Sequence, residues 1–328
     1  MTGHRLQDHI FTVDETSFTA LALEIFRFQL AHNPVYAAFS KGLGKNRDNV
    51  NSTGEIPFLP VELFKSHRIY SAEKDPQIVF TSSGTTGSVT SRHEVADVSL
   101  YEKSFLAGFE KFYGPPGEWT ILALLPSYLE REGSSLVYMA DRLIRESKSE
   151  DSGFYLHNYK ELSGKLSLLN RQKKKTLLLG VTYALLDLAE QFPQPLENIT
   201  IMETGGMKGK RKEMVREEVH AILEESFHVK NIHSEYGMTE LLSQAYSSGG
   251  GIFRTPPWMK ILIREMNDPL SFCGSGRTGG VNIIDLANLY SCSFIATSDL
   301  GKIHGNNSFE ILGRFDFSDV RGCNLMVE

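Results

Sequence analysis

Apolar positions recur at Phe18, Leu21, Ala22, Ile25, Phe28 and Leu30, the three-and-four spacing of a helix with one buried face. Asp14 or Thr16 stands ready as a cap, so the pattern predicts an N-terminal helix over 17–32. From about residue 78, short continuous apolar runs alternate with longer amphipathic ones. Strands are predicted over 78–80, 119–125, 176–179 and 199–202, and helices over 98–112, 134–147, 159–171, 182–191 and 211–226. Runs without polar alternation fit strands covered on both faces, so the pattern predicts an α/β fold with mostly parallel sheet between helical layers. Beyond residue 258 the texture changes to strand-like pieces over 259–263, 281–284 and 294–297, separated by glycine-rich turns. The expected organisation is an α/β part over 1–257 followed by a smaller β-rich subdomain over 258–328. Segments 41–54 and 247–251, rich in Gly, Asn and Ser, read as exposed loops.

Composition narrows the function classes. With 41% hydrophobic and 23% charged residues, 328 residues can bury a sizeable core. The 34 basic and 40 acidic side chains leave a net charge of −6, a field that repels phosphate backbones and makes nucleic acid an unexpected partner. The basic runs over 171–175 and 208–212 read as solvated helix ends. Phe105, Phe109 and Phe112 are spaced as one helical face and read as core. Three cysteines, Cys273, Cys292 and Cys323, are too few for a disulfide framework and lack a CxxC spacing, which points to a reducing cytoplasm. The N-terminus carries no apolar signal-like core. The strongest apolar stretches, 119–129 and 176–186, fall short of the roughly 18 residues that span a bilayer, so no membrane span is expected.

Two segments carry chemistry. After the predicted strand 78–80 the chain reads Thr81-Ser82-Ser83-Gly84-Thr85-Thr86-Gly87. Glycines let successive N–H groups turn into one concavity, and small hydroxyls add donors for phosphate oxygens. Gly87 is followed by Ser88, Val89 and Thr90, so this is not a Walker A loop. A solvated turn between strand and helix has the same composition, and both readings stand. The second segment is His233-Ser234-Glu235-Tyr236-Gly237-Met238-Thr239-Glu240, placed after a predicted strand over 229–232. An aromatic face suits a purine, a threonine hydroxyl an α-phosphate oxygen, and a glutamate Mg²⁺ bound to phosphates. The same residues also suit a helix start, with Ser234 or Thr239 as cap and Tyr236 in the core. His233 reads as structural.

Together these segments resemble the adenylate-forming superfamily of acyl-CoA synthetases, nonribosomal adenylation domains and luciferases. The loop over 81–87 resembles its phosphate-binding loop, Tyr236 to Glu240 its YGxTE motif, Thr297-Ser298-Asp299-Leu300-Gly301 its TxDLG segment and Gly313-Arg314-Phe315-Asp316 its GRxD hinge. Gly205 and Gly206 resemble its glycine pair beside the adenine. The resemblance implies the large N-terminal-type domain of these enzymes, with ATP and Mg²⁺ as cofactors. It places Thr81, Ser82, Ser83, Gly84, Thr85, Thr86 and Gly87 on the phosphates, and Tyr236 and Gly237 at the adenine. Thr239 would meet the α-phosphate, Glu240 would hold Mg²⁺, Asp299 would accept both ribose hydroxyls and Arg314 would reach ribose or phosphate.

Within the superfamily the chain is most similar to the acyl-protein synthetases of the bacterial luminescence fatty-acid reductase system, through Phe58-Leu59-Pro60, Phe64-Lys65 and Arg321-Gly322-Cys323. That likeness implies activation of a fatty or other carboxylic acid as acyl-adenylate, with transfer to Cys323 and then to a partner reductase or carrier protein. Only 12 residues follow Asp316, where related ligases place a mobile lid of about a hundred, so that lid is expected to be missing. The family's proline and lysine just after the phosphate loop are absent, and Arg92 is the nearest cation. The competing readings are an acyl- or aryl-CoA ligase related to phenylacetate-CoA ligase and a non-catalytic nucleotide-binding scaffold.

Overall fold

In the computed structural model, residues 3–82, 89–125, 133–206, 211 and 214–314 are described. Helices α1 (Gly3–Ile10), α2 (Glu15–His32) and α3 (Pro34–Gly42) open the chain. Asp14 caps α2 as expected, its carboxylate accepting from the N–H groups of Thr16 and Ser17 while the Ser17 hydroxyl caps back. α2 is tied to the far end of the sequence by the buried Gln29 amide, which donates to the carbonyls of Asn288 and Leu289 at 3.1 and 2.9 Å. Strand β1 (Leu59–Pro60) and helix α4 (Leu63–Ser66) follow.

The glycine and hydroxyl loop does not join a strand to a helix. Strand β2 (Ile78–Thr81) turns back into β3 (Arg92–Val95), and the two pair antiparallel from Ile78 with Val95 to Thr81 with Arg92. The return strand escapes a sequence reading because Arg-His-Glu-Val has little apolar content, yet His93 and Val95 are buried on one face. Helix α5 (Val98–Tyr113) comes next, capped by Asp97, with Phe105 and Phe109 in the core as expected and Phe112 packed at its edge.

The predicted alternation then appears: β4 (Thr120–Leu124), α6 (Ser135–Ser147), β5 (Gly153–Phe154), α7 (Tyr159–Arg171), β6 (Thr176–Gly180), α8 (Thr182–Gln191), β7 (Ile199–Glu203), α9 (Arg216–Phe227) and β8 (His233–Tyr236). The order β5-β4-β6-β7-β8 is parallel throughout. Every residue of β4 and β6 is buried, as their uninterrupted apolar sequence requires. One strand lies elsewhere than predicted. The ladder runs through His233–Tyr236 and not 229–232: this polar segment takes the register with Ser234, Glu235 and Tyr236 buried, and Ser234 and Tyr236 are met by His220 and Asp299 instead of by apolar packing. α9 starts at Arg216, later than the expected 211.

The remaining strands are β9 (Ala245–Ser247), β10 (Phe253–Arg254), β11 (Met259–Arg264), β12 (Thr278–Asp285), β13 (Phe294–Ile303) and β14 (Phe309–Arg314). They pair antiparallel in the order β11-β12-β13-β14-β10-β9 and join the parallel half through β9 and β8. The architecture is mixed α/β, a large central sheet covered by helices. No helix among the described residues is long and apolar enough to cross a membrane.

Candidate active site

In open α/β sheets, ligands bind beyond the carboxyl ends of the parallel strands. Here β4, β6 and β7 end level at Leu124, Gly180 and Glu203, and β8, whose Ser234 pairs with Glu203, runs two residues further to Tyr236. The β2–β3 hairpin leans over this edge. Thr81 N–H donates to the Gly133 carbonyl after β4 at 2.8 Å, and Ser82 and Ser91 close the base of the hairpin through Ser82 N–H to Ser91 O and Ser91 N–H to Ser82 Oγ. Ser83, Gly84, Thr85, Thr86 and Gly87 lie outside the described residues, as do Arg321 and Cys323.

Tyr236 and Asp299, sixty-three positions apart, meet directly. The phenol donates to Asp299 Oδ2 at 2.6 Å, and Arg314 Nε lies 3.5 Å from Oδ1, brought there by the β13–β14 register that pairs Asp299 with Arg314. Burial, and then the neighbouring carboxylate, push the phenol well above its usual range, so it stays a donor. Its ring is braced edge-on by Phe253 and Phe309, each 6.0 Å away between centroids. Arg314 itself projects into solvent.

Glu203, at the end of β7, is a site residue that sequence reasoning missed. Its Oε2 accepts the Gly205 N–H at 2.6 Å and the Thr182 hydroxyl at 3.1 Å, while Oε1 takes Arg216 Nε at 3.2 Å with His220 Nε2 3.7 Å away. Burial alone would raise this carboxyl, but His220, Arg216, Ser234 and the Gly205 N–H outweigh it and hold it down at about 2. It therefore fixes the turn in which Gly205 and Gly206 adopt φ of +75° and +91°, backbone that side chains with a Cβ rarely accept. The available signal was an acid at the end of a mostly apolar strand, two residues before a glycine pair.

A second unforeseen group supports the turn after β8. His93 Nδ1 lies 2.7 Å from the Thr239 carbonyl and its Nε2 3.0 Å from Asn288 Oδ1, while Asn288 Nδ2 donates to the Glu240 carbonyl at 2.7 Å. The hairpin strand thus grips Thr239 and Glu240 through their backbone. Complete burial lowers the imidazole to about 4 against the pull of these bonds. Replacing His93 by leucine strips the Thr239 carbonyl of its partner, at a cost of about 1–3 kcal/mol for a buried unsatisfied group. The variant should melt several degrees below wild type, and an unchanged melting temperature would contradict this supporting role.

Glu240 points its carboxyl into a nearly closed position where burial raises its pKa, with the Ser91 hydroxyl, a backbone N–H, Arg314 and Lys65 acting in opposition. Among the described residues no three His, Cys, Asp or Glu side chains gather as a protein-only metal cage. One carboxylate beside hydroxyl and phosphate ligands is nevertheless the donor set that suits Mg²⁺. Of the other cysteines, Cys292 is fully buried with its thiol pushed up to about 12, and burial also raises Cys273. Neither is an activated thiol.

No protein-family model and no curated protein sequence matches this chain significantly. Solved structures share its fold. A 2-hydroxyisobutyryl-CoA ligase in the postadenylation state with R3-HIB-AMP matches at a TM-score of 0.66 and 13% identity, over 94% of this chain and 70% of that one. The thioesterification state of that ligase, with 2-HIB-AMP and CoA, gives 0.66 and 14%, over 94% and 71%. ATP-bound MatB from Rhodopseudomonas palustris gives 0.54 and 14%, over 84% of this chain and 52% of that one. The chain spans about half the length of the MatB structures. The likeness to these ligase structures is one of fold.

Proposed function

We propose that this chain activates a carboxylic acid with ATP, forming an acyl-adenylate and releasing pyrophosphate. The observation that carries the proposal is Asp299, a carboxylate fixed by the Tyr236 hydroxyl and flanked by Arg314, at the strand edge where the hairpin and the turn after β8 converge. An ionised carboxyl offers two oxygens for two neighbouring hydroxyls, the chemistry of a ribose. In this reading Gly205, Gly206, Tyr236 and Gly237 frame the base. Thr81 and Ser82, with 83–87, hold the β- and γ-phosphates, and Thr239 bonds the α-phosphate.

One oxygen of the acid attacks the α-phosphorus as the bond to pyrophosphate breaks. The nucleophile is already ionised, so the site needs no general base. It needs donors and positive charge where negative charge accumulates. Arg314 and Lys65, both of which act on Glu240, supply charge from the protein. Glu240 would hold Mg²⁺, which would neutralise phosphate charge when bound.

We further propose that the acyl group, fatty or otherwise, passes to a thiol, with loss of AMP. Cys323 is the candidate acceptor within the chain, with onward delivery to a reductase or carrier protein in the cytoplasm. A free cysteine, with a pKa of about 8.5, is only a few per cent ionised at neutral pH, and a cation such as Arg321 beside it would raise that fraction. The CoA-bound ligase among the structural neighbours favours coenzyme A as the second candidate acceptor.

The test is acid-dependent exchange of radiolabelled pyrophosphate into ATP with Mg²⁺ and a panel of acids, followed by intact mass of wild type and Cys323→Ala. Exchange with an acyl adduct that Cys323→Ala abolishes is the expected result. Exchange without an adduct moves the acceptor to coenzyme A or another external thiol. ATP binding with no exchange for any acid would refute activation and leave a nucleotide-binding scaffold.

A further inference from the structure

Strand β8 presents two chemically different faces. Ser234 and Tyr236 point toward Glu203 and Asp299, whereas His233 and Glu235 point toward α5, where the Tyr113 hydroxyl lies 3.2 Å from His233 Nδ1. Glu235 is 7% exposed and makes no hydrogen bond or ion pair among the described residues. Tyr246, paired with Glu235 across β8 and β9, is 3% exposed and its hydroxyl has no partner there either. Gln244, two residues earlier in the chain, leaves its buried Oε1 unpartnered. Glu235 and Gln244 meet beneath the turn: a Cβ on Gly237 would fall 2.5 Å from Glu235 Oε1 and 3.4 Å from Gln244 Cγ. Aromatic rings wall the patch, with Phe112 and Tyr113 5.3 and 5.5 Å from Tyr246 between centroids.

Each buried polar group without a partner costs about 1–3 kcal/mol, and a carboxylate more. Folded proteins leave few such groups, and here two, the Tyr246 hydroxyl and Gln244 Oε1, lie beside the unpartnered, 7% exposed Glu235 carboxyl directly under the turn that carries Thr239 and Glu240. Violations of this kind concentrate where a ligand completes the bonding. We infer that the acid activated at this site carries a hydrogen-bond donor, an amino or hydroxyl group, that is read by Glu235 with Tyr246 and Gln244. The inference rests on the acid-activating reading above and narrows its substrate. An ammonium would gain from the aromatic walls as well as from the carboxylate. A plain alkyl chain would leave all three groups unmet, and sites built to bond a polar substrate group reject analogues lacking it strongly for that reason.

The experiment is pyrophosphate exchange with matched acids: butanoate and hexanoate against their ω-hydroxy and ω-amino forms, and benzoate against its para-hydroxy and para-amino forms. Wild type, Glu235→Gln and Glu235→Leu are compared. Wild type should favour donor-bearing acids by about tenfold or more. Glu235→Leu should reverse that preference toward the unsubstituted acids, with Glu235→Gln between them, and the hydroxy and amino arms identify which donor is read. Because Glu235 has no partner to lose among the described residues, Glu235→Leu should melt no lower than wild type, which separates altered selectivity from misfolding. Preference of wild type for unsubstituted acids, or a selectivity unaffected in Glu235→Leu, would overturn the inference. If no acid supports exchange in any variant, the acid-activating reading fails, and thermal stabilisation by the same acids decides the subsite separately. Stabilisation of wild type by donor-bearing acids that disappears in Glu235→Leu supports it, and no stabilisation refutes it.

Discussion

Glu203→Ala should lower the melting temperature by roughly 10 °C and abolish nucleotide-dependent activity. Removing one partner of a buried ion pair costs about 3–5 kcal/mol, because the remaining charge stays behind without compensation. Among the described residues Arg216 would keep only its bond to the Ile311 carbonyl at 2.8 Å and its position over the Phe253 ring, while the Gly205 N–H and the Thr182 hydroxyl would lose their acceptor. Glu203→Gln retains an acceptor for Gly205 and loses the charge opposite Arg216, so it should fall between the two. The pH dependence follows from the sign of the shift. Glu203 sits near 2 in the folded chain against an ordinary 4.5, so its contribution is present above about pH 4.5 and disappears as pH falls through 2. Urea denaturation should therefore show wild type and Glu203→Ala far apart at neutral pH and converging as pH falls through that window. A constant gap would assign the loss to packing instead of charge.

Glu203 and Glu235 show what could and could not be read from sequence. Strands β4, β6 and β7 of the parallel half were legible, since 121–124 and 177–179 are apolar without interruption and 199–202 nearly so, whereas the two-residue β5 is too short to carry a pattern. Tyr236, Asp299 and Arg314, which the structure brings together, each stood in a motif in the sequence, because tight backbone turns restrict residue type at particular offsets. Strand β8 was misplaced by its polarity: His-Ser-Glu-Tyr carries no apolar period, and its burial depends on partners such as Asp299 and His220 that are distant in sequence. β3 was missed for the same reason, its buried His93 being satisfied by Thr239 and Asn288. Which carboxylate ends up compensated and which unpaired is a property of register. Glu203 and Glu235 lie on neighbouring strands, yet one meets Arg216 while burial and then the charge of Glu203 push the other up to about 8.

Asp299→Asn should reduce acid-dependent pyrophosphate exchange on the order of a hundredfold while leaving the melting temperature within a few degrees of wild type. The amide is nearly the same shape, and its oxygen can still accept the Tyr236 hydroxyl that Asp299 Oδ2 holds at 2.6 Å, so the buried phenol is not orphaned. What changes is the other position. Oδ1, which faces Arg314 at 3.5 Å, becomes an NH₂ group that can only donate, and the negative charge opposite the guanidinium is lost. A charged hydrogen bond contributes about 1.5–3 kcal/mol, so losing the ionised acceptor for a pair of hydroxyls accounts for that factor. Deoxyribose ATP makes the assignment specific. Wild type should use the 2′-deoxy nucleotide at least tenfold less well than ATP, and Asp299→Asn should treat the two within about twofold, since the missing hydroxyl no longer has an ionised acceptor to meet. Equal discrimination in both proteins would place the ribose elsewhere and reduce Asp299 to a structural partner of Tyr236. Loss of stability in Asp299→Asn alongside full discrimination would point to the same conclusion, because the carboxylate would then be holding β13 to Tyr236 without touching the nucleotide.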